Sequence, residues 1–102
     1  DSLVVEFRRV GHRPSGEVPL SDPLVQRAAA AIAYFGARPE PGIGSTDANI
    51  PISRGIPAVT LGGGGEGEGA HSLREWWLDR NGEVAIKRTL LVVRAHAGLA
   101  AP

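Results

Sequence analysis

The chain has 102 residues, 42% of them apolar, with eleven basic and eleven acidic side chains and no cysteine. At that size it is one domain at most, with a modest core. Zero net charge excludes a global field that would gather nucleic acid or an anionic membrane, and the missing thiols exclude disulfides, thiolate zinc sites and cysteine catalysis.

No apolar run approaches the ~20 residues of a membrane span. The absence of cysteine fits a reducing compartment, so a cytoplasmic location is expected. The sequence opens on Asp1 and contains no methionine, which suggests a processed or excised portion of a longer polypeptide.

In chain order, "SLVVEFRRV" (2–10) is rich in β-branched and aromatic residues, which predicts a strand. "GHRPSGEVPLS" follows as a connector. A helix is predicted within "SDPLVQRAAAAIAYFG", capped by Ser21 or Asp22, with Pro23 in its first turn and Gly36 as its stop. Leu24, Ala28, Ala31 and Phe35 form its apolar stripe.

After the turn-rich "ARPEPGIGS", Asp47 can cap a short helix that carries Pro51 and stops at Gly55. "IPAVTLG" (56–62) predicts a buried strand. A last helix is predicted from about Asn81 to Ala97, capped by Asp79 or Asn81 and stopped near Gly98. Its predicted stripe is Ile86, Leu90, Val93 and Ala97, with Lys87, Arg88 and Arg94 turned outward. The order is α/β in character, and two strands alone are too few for an ordinary sheet, so partner strands are expected from polypeptide outside this chain.

Between the second strand and the last helix stands "LGGGGEGEGAHSLREWW" (61–77), readable as a linker, a phosphate cradle or an arm carrying His71. A phosphate loop needs a lysine and a hydroxyl residue that are absent, and Glu66 and Glu68 would repel phosphate. His71 follows a strand end, the usual address for ligands in open α/β sheets, but the position also suits an ordinary surface histidine. His12 and His96 read as solvated residues. "GSTDAN" (44–49) reads equally as an anion-binding turn or as a helix cap, and Arg13 as a carboxylate grip or a solvated loop arginine. No H-E-x-x-H, H-x-D or G-x-S-x-G pattern occurs, so neither a complete metal site nor a serine triad is expected within these residues.

Taken together, "GSTDANIPISRGIPAVTLGGGGEGEGAHSLREWW" resembles the C-terminal segment of the zinc-dependent exopeptidases and amidohydrolases of metallopeptidase family 20, the carboxypeptidase G, peptidase T and aminoacylase type. The parts come in order: a G-[ST]-[ST]-D-A turn, a short helix ending in "RGIP", a strand, a glycine-rich loop, then a histidine followed by S/T-x-x-E. Upstream, "RRVGHRPSG" and "DPLVQRAAAAIAYFG" are similar to the exit from the family's lid domain and the helix that re-enters the catalytic domain.

The resemblance implies a partial open sheet with flanking helices, a fragment of a phosphorylase/hydrolase-like catalytic domain. Residues 1–15 would end the lid (dimerisation) domain, and residues 16–102 would form the C-terminal part of the catalytic domain. It further implies His71 as the last ligand of a two-ion zinc centre and Arg13 as the arginine that binds the substrate carboxylate. Ser45, Thr46 and Asp47 would line the substrate pocket, and Glu75 would be an acid behind the histidine. The family's H-x-D pair, bridging aspartate, Glu-Glu pair and further carboxylate are not in this sequence. The expected function is therefore part of a hydrolase of short peptides or N-acyl amino acids, inactive alone, with any homodimer formed through lid residues not present here. The alternative is a non-catalytic α/β module that keeps the scaffold for binding or assembly.

Overall fold

The structure, a computed structural model, describes residues 2–100. It holds helix α1 (Pro23–Tyr34), helix α2 (Asn49–Ser53), strands β1 (Glu66–Glu68) and β2 (Trp76–Leu78), and helix α3 (Gly82–Ala97). The chain is thus mixed α/β. No helix among the described residues is long and apolar enough to cross a membrane.

Local signals placed the helices well. Asp22 caps α1, its carboxylate accepting from the Leu24 N–H at 2.8 Å, and Pro23 opens the helix. Gly36 takes the left-handed conformation just beyond its end, at φ +82°. The predicted stripe holds: Ala28 and Ala31 are buried, and Leu24 and Phe35 half-buried. Gly55 and Gly98 likewise take positive φ after α2 and α3.

Caps differ in detail. Ala48, not Asp47, occupies the α2 cap position and has no side-chain acceptor to offer, while the Asp47 carboxylate accepts from Arg13 instead. At α3, Asn81 sits in the cap position with φ +59° and makes no side-chain bond, while the Asp79 carboxylate accepts from the Gly82 N–H at 3.1 Å.

The core is small. Ala28, Ala31 and Val92 are buried together, with Leu24, Val59, Leu61 and Leu91 packed around them. The two helices run in opposite directions: Arg27 near the start of α1 meets His96 at the end of α3, and Tyr34 and Phe35 share a groove with Lys87.

The predicted stripe of α3 is not the face that packs inward. Ile86, Leu90 and Val93 are exposed, and the inward face is Ala85, Val92 and half-buried Leu91. Arg88, predicted outward, turns inward and donates to the Gly62 carbonyl oxygen. Small α1 residues admit α3 through Val92, so packing chose the neighbouring stripe of a helix with apolar residues on two sides.

Neither predicted strand forms. Residues 2–10 make no backbone hydrogen bond among the described residues, and Leu3, Val4, Val5, Phe7 and Val10 lie in solvent. Residues 57–61 are also unpaired along the backbone, although Val59 and Leu61 touch the core and Thr60 between them reaches Thr46. That alternation is the two-residue period of a strand with no neighbour. The described residues contain instead one antiparallel pair that the sequence reading missed, with Glu66 opposite Leu78, Gly67 opposite Trp77 and Glu68 opposite Trp76. The predicted partial open sheet is therefore a two-stranded hairpin.

The result is an open molecule. Its radius of gyration is 18.5 Å, against about 13 Å for a compact chain of this length. Its accessible surface is 8811 Å², against roughly 5500 Å² for a folded monomer of this mass.

Candidate functional site

Asn49, the first residue of α2, ties two distant stretches together. Its side-chain oxygen accepts from the Thr46 N–H at 2.8 Å, and its amide nitrogen donates to the Pro14 carbonyl at 3.0 Å. This clasp brings the connector holding Arg13 against the 44–48 turn. Thr46 is fixed further: its hydroxyl lies 2.7 Å from the Thr60 hydroxyl and accepts from the Ala48 N–H.

Arg13 then spans the turn. One guanidinium nitrogen donates to the Ser45 hydroxyl at 3.2 Å and the other to the Asp47 carboxylate at 3.5 Å. Both contacts are at the long end of hydrogen bonding, and the Arg13 side chain is 44% exposed. Such a guanidinium retains a planar fork of donors that an incoming carboxylate can engage. Three of the four residues assigned to substrate binding thus converge through side chains. Thr46 differs, its hydroxyl being spent on Thr60 and Ala48.

His71 and Glu75 lie elsewhere, in the turn joining β1 to β2. This turn is built on Gly69 and Ser72: the Ser72 N–H donates to the Gly69 carbonyl at 3.0 Å, its hydroxyl to the same oxygen at 2.6 Å, and the Glu75 N–H to the Ser72 carbonyl at 3.2 Å. His71 adopts φ +64°, a conformation uncommon outside glycine, so the turn holds its backbone at some cost. Its ring is exposed and makes no hydrogen bond among the described residues, not even to Glu75. No hydrogen bond joins the turn to the Arg13 cluster either.

The glycine run leading to this turn is pinned. Arg88 holds the Gly62 carbonyl, the Trp77 indole N–H donates to the Gly64 carbonyl at 3.1 Å, and a side chain on Gly64 would meet Ala85 at 2.9 Å. Gly65, at φ +77°, lies directly under the Trp77 indole. Close backbone approach, rather than slack, explains these two glycines.

Among the described residues no three His, Asp or Glu side chains gather into a metal-binding group. One exposed imidazole does not fit a metal centre by itself. His96, read as solvated, is exposed yet bonded, its Nδ1 lying 2.8 Å from an Arg27 guanidinium nitrogen.

Sequence reasoning overlooked Asn49, Thr60 and Arg88, the residues that hold the loops in place. Asn49 sat inside the polar "GSTDAN" cluster; the other two carried no local signal.

Compared with known proteins, the chain matches no protein-family model, and no curated protein matches it at a significant level.

Proposed function

We infer that this chain is the C-terminal part of a zinc-dependent metallopeptidase or amidohydrolase that, as an intact polypeptide, hydrolyses short peptides or N-acyl amino acids. The observation that carries this reading is the convergence of Arg13 on Ser45 and Asp47, 32 and 34 positions away in sequence. A half-exposed guanidinium held over a turn of small and hydroxyl residues suits a terminal carboxylate, which it can grip through two parallel bonds. Gripping that end orients the substrate and fixes how far the scissile carbonyl lies from the reacting groups.

A second support is the unpaired 57–61 segment, whose alternate side chains already pack on α1 and α3. Backbone N–H and C=O groups without partners are costly beside a core, so the segment suits an internal strand of a larger sheet. His71 would supply one donor to the two zinc ions implied by the resemblance. The remaining donors would lie outside this chain, which assembles no hydrolytic centre alone.

A binding module without catalysis is the second reading. It is favoured by the Arg13 cluster, whose contacts to Ser45 and Asp47 are all made within these residues.

One experiment separates the two. The intact polypeptide is assayed with an N-acyl amino acid and with the matching carboxamide. The hydrolase reading expects hydrolysis of the acid in preference to the amide. It also expects Arg13→Ala to raise KM for the acid roughly tenfold to a hundredfold, the loss typical of a hydrogen-bonded charge. Equal use of acid and amide by the unmodified protein would overturn the role of Arg13. Binding of the acid without turnover would favour the module.

A further inference from the structure

The connector that carries Arg13 is held on helix α2 at two points. The first is the Asn49 amide, which accepts from the Thr46 N–H at 2.8 Å and donates to the Pro14 carbonyl at 3.0 Å. One partner can only donate and the other only accept, so the side chain between them must present an acceptor and a donor together. An ionised carboxylate of the same length has no donor to give. The second point is Gly16. A Cβ there would meet the Ile52 side chain at 2.5 Å and the Ser53 nitrogen at 3.3 Å, so the connector lies on the α2 backbone at a distance that a side chain would not permit.

A held Pro14 carbonyl fixes Arg13 closely. The proline ring locks φ of Pro14, and its bulk confines the residue before it to extended backbone. Few free torsions therefore separate the clamp from the Arg13 side chain, which reaches Ser45 at 3.2 Å and Asp47 at 3.5 Å. Those two contacts are exposed and long, and such contacts anchor little by themselves. Helix α2 has no buried residue and lies outside the core of Ala28, Ala31 and Val92, so the clamp is separate from the packing of α1 on α3.

We propose that Asn49 is a positioning residue: with Gly16 it holds the connector on α2 so that the Arg13 guanidinium stays over the 44–48 turn, and it thereby sets the preference of that site for carboxylates over carboxamides. The physical basis is pre-organisation. A guanidinium already held in place gives up less rotamer freedom when a ligand arrives, and the affinity gained is lost when the backbone beneath it is released. The inference rests on the reading of Arg13 as a carboxylate grip and adds that the strength of the grip is set by a residue acting through Arg13. It uses neither His71 nor a metal.

The test is a chemical-shift titration of this chain with N-acetylglycine and with N-acetylglycinamide at low salt. The unmodified chain should bind the acid more tightly than the amide. Asn49→Asp keeps an acceptor for Thr46 but has no donor for Pro14, and should weaken acid binding at least fivefold while amide binding changes less than twofold. Gly16→Val, which lifts the connector without adding charge, should do the same. Circular dichroism should show that the helices persist in both. In an Arg13→Ala background, Asn49→Asp should weaken acid binding by less than twofold further, because a residue acting through Arg13 has nothing left to position. Simple repulsion by the new carboxylate would persist in that background and would overturn the proposal, as would an acid preference undiminished in Asn49→Asp and Gly16→Val. Equal binding of acid and amide by the unmodified chain would instead overturn the carboxylate grip itself, and this inference with it.

Discussion

The Arg13 guanidinium donates to the Ser45 hydroxyl at 3.2 Å, closing a contact between residues 32 positions apart. Its second arm holds the Asp47 carboxylate more loosely, at 3.5 Å. An exposed pair of this length contributes little to stability, and Asp47 competes with any carboxylate ligand for the same donors. Asp47→Asn should therefore tighten binding of N-acetylglycine severalfold, followed by chemical-shift titration. Weaker binding would show that the Asp47 charge itself recognises the ligand.

The choice of buried stripe on α3 can be checked by denaturation. Val92 is 5% exposed and sits between Ala28 and Ala31. Removing its two methyl groups in Val92→Ala should cost about 1–2 kcal/mol, from roughly 0.8 kcal/mol per buried carbon. Ile86→Ala, at a residue 72% exposed, should change stability by less than about 0.5 kcal/mol. Reversed magnitudes in urea unfolding would restore the stripe expected from the sequence.

The α1 cap gives a separate prediction. The Asp22 carboxylate satisfies the Leu24 N–H at 2.8 Å. Asp22→Ala should lower stability by about 1 kcal/mol, and Asp22→Asn by much less, because asparagine caps nearly as well. Thermal unfolding followed by circular dichroism reads both variants.

The glycine run is predicted to be tightly held near its end. Gly65→Ala places a methyl group against the Trp77 indole and also strains a backbone at φ +77°. The indole should be pushed off the Gly64 carbonyl, with a red shift in tryptophan emission relative to the unmodified chain. An unchanged spectrum would mean that this stretch yields freely.

Helix signals in this sequence were local and therefore legible. Asp22 followed by Pro23, and glycines at 36, 55 and 98, mark boundaries that the structure respects to within a residue or two. Strand signals were not, because a strand depends on its neighbour. "SLVVEFRRV" and "IPAVTLG" have strand composition but find no partner among the described residues, whereas "EGE", of unpromising composition, pairs with "WWL", whose tryptophans favour a strand but whose three residues are too few to mark one.

The candidate site divides the same way. Arg13 and the Ser45–Asp47 turn were named from the sequence, and Asn49, the clasp that joins them, was not. Long-range hydrogen bonds leave no periodicity to read. His71 was read from the sequence as a residue at the end of a glycine-rich loop, and it lies in an exposed turn; that the turn holds it at positive φ depends on pairing between β1 and β2 that glycine-rich sequence conceals.

The proposed hydrolase requires the His71 imidazole to ligate a metal together with donors from polypeptide outside these residues. The most direct measurement is the zinc content of the intact protein and of its His71→Ala variant after equilibration with zinc and gel filtration, alongside hydrolysis of an N-acyl amino acid. The hydrolase reading expects two zinc ions per polypeptide in the unmodified protein, and loss of at least one, together with loss of hydrolysis, in the variant. Full zinc occupancy and undiminished hydrolysis in His71→Ala would contradict it.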